Sequence, residues 1–201
     1  VDGSGNVFYT DPDKGYVGRL VPGTNVMTEW KIPCSSCDAP VTGISVDSSG
    51  NVFFAEASST NSISRLDPAT NVLTRWPIPT SSALFSFGLS QVSVAPSQAV
   101  YFTETHGNNI GSLSPSTNVM TEWPVLTANS GPQGISVDSS GIVFFTEVGA
   151  AKIGRLVPST NVMSEWAIAN LSSGLVSSIF VDASDNVFFS EYVAGQIGRL
   201  S

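Results

Sequence analysis

Five carboxylates recur at near-constant spacing, Asp11, Glu56, Glu104, Glu147 and Glu191, each closing a run such as VFFAE or VFFTE. Repeated carboxylates can ligate a divalent cation, or with raised pKa values serve as acid or base. The plainer alternative is that each caps local backbone N–H groups or pairs with a Lys or Arg. The single histidine, His106, lies two residues after Glu104. It is the side chain whose ordinary pKa sits nearest neutrality, although a turn histidine facing solvent needs no chemical role. Cys34 and Cys37 form a Cys-Ser-Ser-Cys step. Two thiolates do not complete a tetrahedral zinc site, and no second such step accompanies them. No βαβ context suggests a thioredoxin-like redox motif. A loop disulfide between Cys34 and Cys37 in an oxidising compartment is the expectation.

The elements that must position these groups repeat as well. VDGSGNVFYTD at Val1 returns at Val46, Val94, Val137 and Val181, spacings of 45, 48, 43 and 44 residues. Within the unit from Gly134, GISVD, IVFFTE, KIGRL and NVMSEW read as four short strands, A to D, separated by turn residues. Four strands per unit of this length are the signature of a β-propeller blade. The predicted fold is therefore all-β, one propeller domain over 1–201 with about five four-stranded antiparallel blades visible, strand A innermost. Pro22-Gly23-Thr24-Asn25 and its three later counterparts predict C–D turns, with Asn supplying the left-handed residue. Asp2, Asp47, Asp138 and Asp182 head the A–B turns, where an Asx-turn is expected; acidic ligands there are too few for calcium.

The chain starts at the end of an A strand and stops after a C strand, giving five B, five C, four D and four complete A strands. The expectation is a fragment of a larger propeller, the alternative being a neighbouring chain that completes the ring, since open strand edges invite pairing.

Strand parity puts the B–C turns and D–A linkers at one end of every blade. That end collects the five carboxylates, His106, the cysteine pair and the longest linker, Pro77 to Gln91, which carries Phe85 and Phe87. An apolar loop there could wall a ligand pocket or meet a partner, or simply fill the gap between blades. Trp30, Trp76, Trp123 and Trp166 share one place at the end of strand D. Packing between blades is expected of them, with a sugar-binding aromatic cage as the alternative.

Composition narrows the partners. A net charge of -8 with scattered Lys and Arg opposes nucleic acid. No stretch approaches the ~20 apolar residues of a membrane span. Low Lys content, a Ser/Thr/Asn-rich chain and the acceptor triplet Asn170-Leu171-Ser172 suit an extracellular or cell-surface protein.

Units such as FFTEVGAAKIGRLVPSTNVMSEW resemble the blade of the virginiamycin B lyase family, and the resemblance extends over essentially all 201 residues. It implies a seven-bladed propeller with a site at one end. There a His in a Pro-His-Gly step before strand A and a Glu ending strand B work with Mg²⁺ to open a cyclic ester by elimination. Pro132-Gln133-Gly134 matches that step, and Glu147 follows Gln133 by fourteen positions. Gln133, however, cannot act as a general base. The same offset before Glu56, Glu104 and Glu191 falls on Thr42, Ser90 and Ser177, and His106 lies after its Glu.

Two functions follow as expectations. One is a non-catalytic extracellular module that binds a small molecule, glycan or protein, or copies of itself, through the linker-side face. Its binding residues would be Gln133, Glu56, Glu191, Asp11, Phe85 and Phe87. The other is a streptogramin-lyase-like enzyme using Mg²⁺ or another divalent cation, with Glu147, Glu104 and His106 as catalytic candidates.

Overall fold

The computed structural model describes residues 1–33, 41–57, 61–79, 88–168, 176–192 and 194–200. Cys34, Cys37, Phe85, Phe87 and the Asn170 triplet lie outside these. The described residues form strands and turns with no helix, arranged as the five blades that the repeat predicts.

Blade 1 is three-stranded: β1 (Val7–Asp11), β2 (Tyr16–Val21) and β3 (Val26–Lys31). Blade 2 runs β4 (Val41–Val46), β5 (Val52–Glu56), β6 (Ser62–Asp67) and β7 (Val72–Pro77). Blade 3 runs β8 (Leu89–Val94), β9 (Val100–Glu104), β10 (Asn109–Ser114) and β11 (Val119–Pro124). Blade 4 runs β12 (Pro132–Val137), β13 (Val143–Glu147), β14 (Lys152–Val157) and β15 (Val162–Ala167). Blade 5 holds β16 (Val176–Val181), β17 (Val187–Glu191) and β18 (Gln196–Leu200). Each strand pairs antiparallel with the next, as short tight turns require. The A strands β4, β8, β12 and β16 pack on one another in chain order, which makes them the inner wall.

The turns close as their residues dictate. Asn25, Asn71, Asn118 and Asn161 sit at φ of 54 to 59°, the left-handed conformation that Asn tolerates. Asp2, Asp47, Asp138 and Asp182 each accept two backbone N–H bonds, two and four residues on, and so form the expected Asx-turns.

The core lies in the seams between blades. Because side chains alternate across a strand, each blade presents one apolar set forward and another backward. Between blades 3 and 4, Tyr101, Ile110 and Trp123 of one meet Ile135, Val143, Phe145, Leu156 and Met163 of the other. The same positions recur in the other three seams. Trp30, Trp76 and Trp123 pack as expected, and each of these indole N–H groups finds a partner in the following blade, whereas Trp166 is 42% exposed. Trp30 donates to Asn71 Oδ1 at 2.6 Å, Trp76 to Asn118 at 2.7 Å and Trp123 to Asn161 at 2.8 Å. The turn Asn thus serves two purposes, left-handed backbone and acceptor for its neighbour. Arg19 and Arg65 stack over Trp30 and Trp76, with guanidinium carbons 5.6 and 5.8 Å from the ring centres.

Candidate functional site

The A strands carry a feature that sequence periodicity does not reveal. Pairing with strand B shifts register between Thr42 and Ile44, Leu89 and Val92, Pro132 and Ile135, and Val176 and Ile179. Each inner strand is therefore bulged at the same height, and bulges re-aim side chains beside functional sites. The residues at and beside these bulges are Thr42-Gly43, Ser90-Gln91, Gln133-Gly134 and Ser177-Ser178, the positions fourteen before each Glu.

A hydroxyl on strand B fixes the bulge to its own blade and to the next. Thr103 Oγ1 accepts the Gln91 N–H at 3.1 Å and donates to the Gln133 carbonyl at 2.8 Å. Thr146 Oγ1 accepts from Gly134 N–H at 2.8 Å and donates to the Ser177 carbonyl at 2.9 Å. Both threonines are fully buried. Blade 2 has Ala55 at that place, and there Thr42 Oγ1 reaches the Leu89 carbonyl at 3.4 Å instead. Gly134 is required by closeness: a Cβ would stand 2.7 Å from the Ser177 carbonyl oxygen. Ile135 N–H also donates to Gln91 Oε1 at 3.4 Å, so Gln91 bridges two blades.

The carboxylates ending strand B turn into the seams. Glu56, Glu104 and Glu147 are buried, at 6%, 2% and 0% exposure, and each meets the residue four places into the outer strand of its own blade. Glu56 accepts from Ser64 Oγ and from Arg75 Nε, the latter at 2.9 Å. Arg75 continues to the Pro33 carbonyl of the preceding linker at 2.5 Å. Glu104 meets Glu122, an acid instead of a base. Burial, and then the Glu122 charge, push its carboxyl up to about 7, so Glu104 titrates near neutrality. Asn109 donates to Oε2 at 3.4 Å, while Oε1 has no donor.

Glu147 is also pushed up to about 7, chiefly by burial and further by Glu165. Neither of its oxygens has a hydrogen-bond partner, because the hydroxyl of Ser130 beside it is directed to Asn108 Oδ1 at 3.1 Å. Glu165 instead takes Lys152 Nζ at 2.9 Å and both donors of Thr127 at 2.9 and 2.6 Å. Burial raises the Glu165 carboxyl, but these bonds outweigh it and leave the group below its usual range. The sequence signal for these partners was parity, since strand B's last residue and strand D's fourth lie on one face.

The remaining candidates are peripheral. Asp11 accepts Lys14 N–H at 3.2 Å and pairs with its ammonium at 3.2 Å. Glu191 is half-buried at the end of β17, opposite Val176. His106 is exposed in the turn between β9 and β10. Gln133 is half-buried on the bulge of β12. Among the described residues no three His, Cys, Asp or Glu side chains converge to hold a metal ion. The donor set described here thus does not fit Mg²⁺. At the opposite end a cavity of about 370 Å³, which sequence reading missed, opens between the A–B turns; Asp47, Asp138 and Asp182 border it, but their carboxylates are taken up by their own turns. No helix is long and apolar enough to cross a membrane.

Solved structures share this arrangement. A virginiamycin B lyase from Staphylococcus aureus superposes at a TM-score of 0.87 with 25% identity, over 100% of this chain and 64% of that one. A catalytically inactive variant of the S. aureus enzyme with quinupristin gives 0.86 and 26%, with the same coverage. An extracellular domain of a one-component system from B. thetaiotaomicron has a TM-score of 0.75 at 12% identity, a likeness of fold, over 100% of this chain and 26% of that one. The chain therefore spans just under two thirds of the lyases it matches. No curated protein matches it in sequence. The model of the virginiamycin B lyase family matches residues 1–201, and the chain belongs to that family.

Proposed function

We propose that this propeller is a non-catalytic, extracellular binding module whose linker-side mouth takes a neutral ligand rich in hydroxyl or amide groups, such as a glycan. The observation that carries this reading is the chemistry of the bulged inner strands. Where the family resemblance calls for a base, the four blades present Thr42, Ser90, Gln133 and Ser177, which donate and accept hydrogen bonds but do not take a proton. Three of the four carboxylates fourteen residues on, Glu56, Glu104 and Glu147, are withdrawn into the seams, and burial pushes Glu104 and Glu147 up to about 7. A mouth of this kind holds a polar ligand in place without charging it.

A lyase acting on a cyclic ester is the second reading. One observation favours it: Glu147 keeps both oxygens unpaired, at the family's spacing from Pro132-Gln133-Gly134. Incubation of the chain with a streptogramin B and Mg²⁺, followed by mass and chromatographic analysis, separates the two. The binding reading expects the cyclic compound unchanged; accumulation of a linear product overturns it. A glycan array with Gln133→Ala and Gln91→Ala as variants then tests the ligand class, and unchanged binding by both variants moves the site away from the bulges.

A further inference from the structure

One cross-strand pair is replaced in blade 3 alone. Phe8, Phe53, Phe144 and Phe188 of strand B lie opposite Arg19, Arg65, Arg155 and Arg199 of strand C. In blade 3 the partners are Tyr101 and Ser112. Directly opposed residues share a face of the sheet, and on that face Arg19 and Arg65 reach over Trp30 and Trp76 of their own blades. Ser112 is too short to reach Trp123 in that way. In the same seam, between the complete blades 3 and 4, the A–B and C–D turns border a cavity of about 280 Å³. The hydroxyls of Ser97, Ser140 and Ser159 stand around it, with Ile142 and Pro158 as apolar wall and no charged side chain. Tyr101 forms its buried side. The ring packs in the core of the seam and the residue is 7% exposed, so the hydroxyl is the part that meets the cavity. Among the described residues that hydroxyl has no hydrogen-bond partner, and burial alone raises its pKa. A phenol in place of phenylalanine therefore gains nothing from the seam itself, since a buried polar group without a partner costs free energy.

We propose that this cavity binds a single neutral pyranose ring, with the Tyr101 hydroxyl as its inner hydrogen-bond partner and the serine hydroxyls at its rim. A pyranose offers hydroxyls that both donate and accept, as the phenol and the serines do. Its C–H faces suit Ile142 and Pro158, and it brings no charge to a wall that has none to offer. The volume is near the low end for ligand sites, roughly 300 Å³, which admits one ring and keeps a longer chain outside. The site lies at the end of the propeller opposite the linker-side mouth and does not depend on what the mouth binds.

The test titrates the methyl pyranosides of glucose, galactose and mannose into the isotope-labelled chain and follows backbone amide shifts by NMR. Saturable shifts at Tyr101, Gly141 and Ile142 are expected with at least one of the three, with a dissociation constant on the order of 1 mM or weaker for a ligand of this size. Tyr101→Phe, the residue that the other four blades carry there, weakens that binding about fivefold, the scale of one hydrogen bond. Ser112→Arg also copies the other blades. It brings a guanidinium to the cavity, as Arg155 does beside Asp185, the counterpart of Gly141, one seam on, and weakens binding by about tenfold or more. No saturation by any of the three below about 100 mM, shifts confined to Gln91 and Gln133, or unchanged affinity in either variant would each overturn the proposal. Shifts at Gln91 and Gln133 alone would leave the reading of the linker-side mouth standing, so the two fail separately. Circular dichroism of both variants establishes that they are folded.

Discussion

Replacement of Thr103 by valine tests whether the hydroxyl stitch holds the inner wall. Valine keeps the shape and the β-branched stiffness of threonine, so packing and strand preference are preserved. What disappears is one acceptor for Gln91 N–H and one donor to the Gln133 carbonyl. A buried polar group left without a partner costs about 1–3 kcal/mol. Both bonds are only part-buried, so the low end applies and the two together come to about 2 kcal/mol. For a chain of this length that lowers the melting temperature by roughly 4–8 °C. Urea unfolding followed by tryptophan fluorescence is the assay, because the indoles lie in the seams. Thr42→Val is the control: its bond is 3.4 Å long, and its loss costs below about 0.5 kcal/mol. A Thr103→Val protein within about 0.5 kcal/mol of the parent refutes the reasoning. It would mean that water replaces the hydroxyl and that the bulge at Gln133 is held by other contacts.

Three further outcomes are expected. Glu104 and Glu147 have folded pKa values of about 7 against an ordinary 4.5, so the native state holds their protons more tightly than the unfolded chain. Stability therefore falls as pH rises from 4.5 to 7 and levels above that, by on the order of 2 kcal/mol per carboxyl; a Glu104→Gln, Glu147→Gln double variant with an unchanged slope in pH-dependent denaturation would contradict this. Arg75→Ala strips Glu56 of its charged partner in a buried setting and destabilises by about 3 kcal/mol, while adding Glu56→Gln recovers part of that loss in the same urea assay. Asn118→Gly keeps the left-handed turn but removes the acceptor of Trp76, costing about 1 kcal/mol, whereas Asn118→Ala adds backbone strain at φ 57° and costs more.

The blades were legible because their signals are local. Val143 to Glu147 is dense in β-formers, its flanking turns carry Asp, Gly, Pro and Asn, and the unit recurs at a near-constant period. The bulges were not legible, since an extra residue in β12 leaves the apolar alternation of Ile135 and Val137 intact. Charge partners lay beyond local reading for another reason. Glu104 meets Glu122 only once β9, β10 and β11 are in register, and a carboxylate opposite a carboxylate is not what charge complementarity suggests. The third strand held a clue that could have been used. Its Gly18, Gly111, Gly154 and Gly198 leave room for the aromatic ring of strand B to lie across, and a Cβ there would come within 2.2 Å of that ring. Ser64 breaks the pattern in blade 2, where its hydroxyl serves Glu56.

The indole-to-asparagine bond also redraws the repeat. Trp76 belongs to one sequence unit and Asn118 to the next, so the energetic unit is not the sheet but the joint, built from the forward half of one blade and the rear half of its successor. Cooperativity then scales with the number of joints, one fewer than the blades in an open array. A duplication that copies a sheet without its neighbour's turn adds mass and no joint. Recombination among such genes should therefore preserve crossover points that keep Trp and the following Asn in step, and designed arrays should be assembled from joints, with end pieces shaped to cover the two unmatched halves.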